Sequence, residues 1–381
     1  MITYIPAIAQ PPHVLSSVVD RVQRRTRLGK HGWAVLGVAF GVVLLLDLVR
    51  RLLSGDLTVA LLVGYLWNGL TYGLVIGLAG VGLSLTYDLL EFANFAHGDY
   101  ITVSAFVGWG AAYLIAGFGR FDPGSLFFLG VGGTLYPGDV GVSVTTAPVA
   151  ILGGLVVAAA AGAVVAVTLD RVVYRSMRGM DAISLLIASI GVAFVLRYLT
   201  IYVFTQQAFG LTVSAWTYGV ALPGGTVNVS APTLLLVASS LAAMAGVHLL
   251  LTRTKLGKAM RAMAANRSLA RVTGIPSERV ILATWLIGGA LAGLAGFMIA
   301  LLQGTITYQI GWTLLLLVFA GVIMGGIGSV YGAIVGGVLI GLITRVSLVW
   351  IPASFTEAMG FLIMILILLT RPQGLFGGET A

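Results

Sequence analysis

Cysteine is absent from this 381-residue chain, so neither a disulfide nor a cysteine-based metal site can form. Charge is nearly as scarce. Lys, Arg, Asp and Glu supply 9% of residues, against roughly 25% in soluble domains, while 59% are hydrophobic. So few charges cannot clothe a surface in water, which excludes a soluble globular domain. A phosphate-cradling G-x-x-x-x-G-K-[ST] is also missing. The nearest stretch, LGKAM from Leu256, lacks the upstream glycine and the following Ser or Thr, which argues against ATP hydrolysis by that route. The AIAQ near the N-terminus has the small residues of a cleavage site, but no charged region or apolar core precedes it, so no cleaved leader is expected.

What the chain does contain is long, continuous apolar runs. They extend over ~17–25 residues, the length of a helix crossing a ~30 Å hydrocarbon core, and do not alternate as barrel strands do. Backbone groups in lipid must be satisfied within the segment, which makes these runs helices. The expected fold is all-α, a polytopic membrane helix bundle. Ten spans are read at about 33–53, 60–87, 94–117, 148–170, 182–204, 231–251, 280–302, 312–326, 330–348 and 355–370. The 312–348 run is divided at MGGIGSVYGA, whose glycines suit a turn; one tilted helix plus a re-entrant piece is the rival division. The 52 glycines are about twice the ~7% usual share, which predicts close helix packing. GLAGVGLS (77–84) and GGALAGLAG (288–296) share that spacing, as packing grammar and not as a duplication.

The net charge of +8 raises nucleic acid as a partner, but the positions of the charges point to topology. With both termini cytoplasmic, the inner side holds five basic residues of the tail (Arg21, Arg24, Arg25, Arg27, Lys30), three in Arg171–Arg178, seven in 252–279, and Arg371. That makes sixteen, against four outside (Arg50, Arg51, Arg120, Arg345), as the positive-inside rule requires. Merging 312–348 into one span leaves that ratio unchanged. Residues 1–32 read as a basic cytoplasmic tail. Loops 118–147 and 205–230 read as outer connectors.

Two segments concentrate polarity. The inner loop TRTKLGKAMRAMAANRSLARVTGIPSERV (252–280) carries seven basic residues and one acid, Glu278. Its residues 256–272 favour a helix, with Thr254 as cap and Gly274 before Pro276 as stop. Leu256, Met260 and Met263 share a face at i, i+4, i+7. Two readings fit: a docking site for a protein partner, or a basic helix lying on anionic membrane lipid. The second segment, LLEFANFAHGDYITV (89–103), places Glu91, Asn94, His97 and Asp99 between two spans. Asn94 suits a cap onto the N–H of 96 or 97, and Asp99 suits the first helical turn. The bland reading is a capped helix start near the inner face. The functional reading is a gate or pathway lined by Asn94 and His97. A lone histidine is no metal site. Other polar residues within spans include Asn68 and Tyr72, one turn apart, and Gln303, which with Asn94 and His97 are candidate pathway groups. Helix–helix hydrogen bonding is the commoner use of such residues. Arg197, lacking an acidic neighbour in sequence, is expected to snorkel outward. Asp47 is expected to pair with Arg50 and Arg51.

The loop GKAMRAMAANRSLARVTGI resembles the cytoplasmic coupling loop of ABC-importer membrane subunits, and within them the branched-chain amino acid permease family, LivH type. NGLTYGLVIGLAGVGLSLTYDLLEFANFAHGDY (68–100), GGALAGLAGF (288–297), GVIMGGIGSVYGAIVGG (321–337) and RPQGLFG (371–377) resemble further segments of that family in the same order. The likeness covers about 60–377. The basic tail, an extra first span at 33–53 and the long 118–147 loop depart from it. The resemblance implies a 60–377 permease domain with a coupling loop at 252–279. In that loop Leu256, Gly257, Met260, Arg261, Ala262, Met263, Asn266 and Gly274 would meet an ATPase. It implies no cofactor and no catalysis on this chain. The implied partners are a second permease subunit, two cytoplasmic ATP-binding subunits and an extracytoplasmic substrate-binding protein, in the plasma membrane of a prokaryotic cell. A urea or short-amide permease is the alternative within the family. An ion-coupled secondary transporter would need carboxylates inside spans, where there are almost none. A non-transporting scaffold would have little use for so large a basic loop.

Overall fold

The computed structural model describes residues 30–118, 142–212 and 216–376. Most of the basic tail, the greater part of the 118–147 loop and residue 377 lie outside the described residues. In chain order the elements are α1 (Lys30–Ser54), α2 (Val59–Leu90), α3 (His97–Ala116), α4 (Pro148–Leu169, continued by a π-helical turn Asp170–Tyr174) and α5 (Ala182–Phe204). Then follow β1 (Phe209–Gly210), β2 (Thr217–Leu222), β3 (Gly225–Ser230), α6 (Ala231–Arg253), α7 (Lys255–Ala265) and α8 (Arg267–Val272). The chain closes with α9 (Ser277–Gln303), β4 (Thr305–Ile306), α10 (Ile310–Gly325), α11 (Val330–Val346) and α12 (Thr356–Thr370). Among the described residues eight helices are long and apolar enough to cross a membrane, and α10 is apolar but shorter. The architecture is a polytopic helix bundle.

Glycine seams set its packing. On α2, Gly69, Gly73 and Gly77 recur every four residues and so share one face, pressed onto the backbone of α11 at Gly337, Val338 and Gly341. A side chain on Gly73 would meet the Val338 Cα at 2.7 Å. A second seam joins Gly162 of α4 to Gly289 of α9, and a third joins Gly321 and Gly325 of α10 to Gly336 and Gly332 of α11. With lipid as apolar as the side chains, such close backbone contact supplies the dispersion energy that holds helices together. α2, α3 and α9 form the buried centre, and α12 lies at the periphery.

The 312–348 run is two helices. Gly326 and Gly328 take φ of 114° and 85° in the turn between them, a region that L side chains avoid. The terminal segment then returns to this turn. Leu375 N donates to Met324 O and Phe376 N to Gly325 O, both at 2.9 Å, satisfying carbonyls at the end of α10.

The 205–230 connector is more ordered than the sequence reading expects. β2 and β3 pair antiparallel from Thr217–Ser230 to Leu222–Gly225, and β1 pairs with β4. Pro223 and Gly224 form the hairpin corner, with Gly224 at φ +84°, the positive angle that a type II turn requires. Ala60 N donates to Pro223 O (3.2 Å), fastening the hairpin to the start of α2. The bundle thus has a hairpin end and, carrying α7 and α8, a basic end.

Candidate functional site

α3 does not start at the basic end. Phe95 N donates to Ser189 Oγ (3.0 Å), and Ser189 lies seven residues into α5, about 10 Å at 1.5 Å per residue. Residues 91–96 therefore re-enter the bundle before α3 begins, a correction to the expectation of a start near the inner face. Within lipid an irregular backbone needs partners inside the protein, and side chains supply several of them here. Asn94 Oδ1 accepts from Ala96 N (3.1 Å), the expected bond, but this closes a turn before the helix: Ala96 itself is the N-cap of α3, which has no side-chain cap. Asn94 Oδ1 also accepts from Tyr174 Oη (3.2 Å), while its Nδ2 donates to Tyr100 Oη (3.3 Å). His97 Nε2 faces Ala79 O at 3.0 Å, and since a carbonyl only accepts, that nitrogen carries hydrogen. Both side chains are buried. They form one cluster with Tyr100 and with Tyr174, whose ring stacks on Trp285 at 5.3 Å.

α10 also starts inside the bundle. Gly311 sits on Gly98, and its N–H donates to Thr102 Oγ1 (3.1 Å). The N-terminal ends of α3 and α10 therefore meet within the bundle, where their dipoles favour negative charge. Asp99 occupies the first turn of α3, fully buried. Arg197 reaches it from α5, with Nε–Oδ1 and Nη2–Oδ2 both 3.2 Å, and its guanidinium lies 4.6 Å from the Trp312 ring centre. Snorkelling is thus overturned: the carboxylate, the dipole and the indole face offer Arg197 more than the interface does. The pair spans 98 residues of sequence, so only three-dimensional packing reveals it. Asp47 does bind Arg50 and Arg51, each at 2.7 Å.

The remaining pathway candidates lie elsewhere. Tyr72 is buried beneath the Arg345 guanidinium, 4.7 Å from its ring centre. Asn68 is exposed in a cleft of about 410 Å³ shared with Tyr65 and Asn228 at the hairpin end. Gln303 is exposed at the end of α9. The structure brings Asn94 and His97 together, and separates both from Asn68, Tyr72 and Gln303.

At the basic end, Thr254 caps α7 by accepting from Gly257 N (3.0 Å), as expected. Met260 and Met263 are buried, and Leu256 is half-buried. The single helix expected over 256–272 is instead two. Asn266 ends α7 and caps α8 by accepting from Leu269 N (2.8 Å), because its amide satisfies an N–H that a continuous helix would satisfy with backbone. Gly274, at φ +84°, terminates α8. Arg261, Ala262 and Asn266 are exposed, as are the apolar Leu269 and Val272. Gly257 faces inward, tight against the backbone of Leu250 and Leu251. It seats α7 on α6 and leaves the outer surface to its neighbours.

Beneath this pair lies a charge network that sequence reasoning missed. Arg178 Nη2 donates to both Asp170 oxygens (2.7 and 2.6 Å), and Nη1 donates to both Glu278 oxygens (2.8 Å). Burial by itself would lower the Arg178 pKa. The two carboxylates outweigh it and hold the value above the ordinary arginine range. The network ties the end of α4 to the start of α9. The signal available in sequence was three charges flanking two apolar runs.

A bundle in which α3 and α10 begin inside, with a basic helical pair at one end, suits a membrane transport subunit. The family model described as branched-chain amino acid transport system / permease component matches residues 65–369, and the chain belongs to that family. It is similar to the high-affinity branched-chain amino acid transport system permease protein LivH of Escherichia coli K12, 27% identical over 317 residues, covering 82% of this chain and 94% of that protein. The corresponding protein BraD of Pseudomonas aeruginosa is 28% identical over 322 residues, covering 81% and 94%. A probable branched-chain amino acid transport permease protein LivH of Methanocaldococcus jannaschii is 35% identical over 139 residues, covering 35% and 44%. No solved structure matches the chain. The protein is a multi-pass permease component of an ABC importer in the cell membrane.

Proposed function

We propose that the chain translocates branched-chain or related amino acids, driven by partner ATPases that act on α7 and α8. The observation that carries this reading is the surface of that helical pair. Met260 and Met263 anchor it inward, while Arg261, Ala262, Asn266 and the apolar Leu269 and Val272 stand exposed within a basic surround. Solvent-exposed leucine and valine on a short positively charged helix suit a protein partner better than water. Gly257 and Gly274 fix the seat and the end of the pair, and Leu256 packs beneath it.

In this reading ten spans cross the membrane with both termini cytoplasmic, the basic end faces the ATPases, and the hairpin end faces a substrate-binding protein. Residues 60–377 form the permease domain, preceded by a basic tail and an extra span at 33–53. A second permease subunit completes the conduit, and two cytoplasmic subunits hydrolyse ATP. This chain carries no cofactor and makes or breaks no covalent bond. Asn68, Tyr72, Asn94, His97 and Gln303 border the route. Asn94 and His97 do so indirectly, by fixing where α3 begins. The family's printed description and the LivH and BraD names support the substrate class. In proteoliposomes holding the complete complex, ATP-dependent uptake of leucine, isoleucine or valine is expected to exceed that of urea or acetamide. Preferential urea uptake would overturn the substrate assignment.

A further inference from the structure

A cleft of about 220 Å³ opens at the basic end, between the re-entrant loop, the π-helical end of α4, the start of α5 and α8. That is below the roughly 300–1,000 Å³ of drug-sized sites and so scaled for a smaller solute. Its chemistry is unusual. Glu91 and Arg267 both line it and attract one another, yet among the described residues neither makes a hydrogen bond or a close ion pair through its charged group. Arg267 Nε is buried without a partner. Arg178, at the back, is already occupied by Asp170 and Glu278. The rest of the lining mixes polar Asp170, Tyr174 and Arg178 with apolar Phe92 and Leu185, which are buried, Leu90, which is half-buried, and the exposed Met180. Glu91 also holds a left-handed backbone, φ 57° and ψ 29°, at the end of α2, where glycine costs least.

A guanidinium and a carboxylate without hydrogen-bond partners, lining one cleft beside apolar side chains, are complementary to a zwitterion with an apolar side chain. We propose that this cleft is a second amino acid site, facing the cytoplasm, with Arg267 receiving the carboxylate, Glu91 the ammonium, and Phe92 and Leu185 the side chain. It rests on the amino acid reading above. An occupant would bridge α8 to the loop that leads into α3, tying the driven element to the bundle in the arrangement seen here. Accumulated product would therefore slow its own import. Linkage sets the size: two coupled sites ordinarily change one another's affinity by roughly five-fold or more.

The test is initial-rate uptake of labelled leucine into proteoliposomes of the complete complex. ATP is in the lumen, the binding protein is outside, and the lumen is preloaded with unlabelled L-leucine, isocaproate or 3-methylbutylamine. Uptake is expected to fall several-fold with lumenal leucine and to be unaffected by the two analogues, each of which lacks one charge. Glu91→Gln and Met180→Trp are expected to transport like the parent from an empty lumen and to lose the inhibition. Uninhibited parent uptake would overturn the proposal while leaving the transport reading intact. Should no amino acid be taken up, the transport reading fails first. Calorimetric binding of L-leucine to the complex in nanodiscs, without binding protein, then decides the cleft. Binding lost in Glu91→Gln supports it, and no binding, or equal binding, refutes it.

Discussion

Asp99 and Arg197 sit where water cannot solvate them, with the Asp99 side chain 1% and the Arg197 side chain 14% exposed. Each is tolerable only because of the other. Removing one partner from such a pair leaves a charge that the surroundings cannot stabilise, at a cost of about 3–5 kcal/mol. Arg197→Gln and Asp99→Asn should each lower the thermal midpoint in detergent markedly. The double variant Asp99→Asn/Arg197→Gln should recover most of the loss, because two neutral amides leave no orphan charge. Strictly additive losses would show that the two residues act separately. At this scale the sequence was partly legible. The bond of Asn94 to Ala96 N and the pairing of Asp47 with Arg50 and Arg51 are local arrangements, readable from spacing. Arg197 with Asp99 and Arg178 with Asp170 and Glu278 depend on which helices become neighbours, and spacing carries no information about that.

Among the elements, the glycine seams decide which helices touch. Gly73 of α2 is confined by the α11 backbone, whereas nothing lies within 4 Å of the place a Cβ would take on Gly191 of α5. Gly73→Val should therefore destabilise the isolated chain by about 1–3 kcal/mol or more, since backbone cannot yield as a side chain can. Gly191→Ala should be neutral or stabilising by up to ~1 kcal/mol, from helix propensity. Equal effects in thermal unfolding would refute the seam. The apolar runs made the helices readable, and the glycine content made close packing readable. Three features were not. The β2–β3 hairpin depends on Pro223 and Gly224 within a stretch read as a connector. The break at Asn266 depends on one amide outbidding the backbone inside a run of good helix formers, which propensity summed over the segment hides. The re-entry of 91–96 was similarly hidden, because Ser189 on a distant helix supplies its hydrogen bond.

For the whole molecule, the proposed function requires α7 and α8 on the cytoplasmic face and the hairpin outside. Because the chain has no cysteine, single cysteines can report this directly. A membrane-impermeant maleimide should label Asn228→Cys in intact cells, and Ser268→Cys only after permeabilisation, both positions being exposed. The opposite pattern would invert the topology and detach α7 and α8 from any cytoplasmic motor. Of the overall plan, the bundle, the helix order and the basic loop at one end were legible from apolar length and charge position. The meeting of the α3 and α10 ends inside the bundle was not.

The central claim is that an outside motor drives this conduit through α7 and α8, and a single bulky residue on their exposed surface tests it most directly. Ala262→Trp should leave folding and assembly of the complex intact, since Ala262 is exposed and crowds nothing, yet abolish ATP-driven leucine uptake in proteoliposomes. Undiminished uptake by that variant, or uphill accumulation by the chain alone on a sodium or proton gradient, would contradict the account.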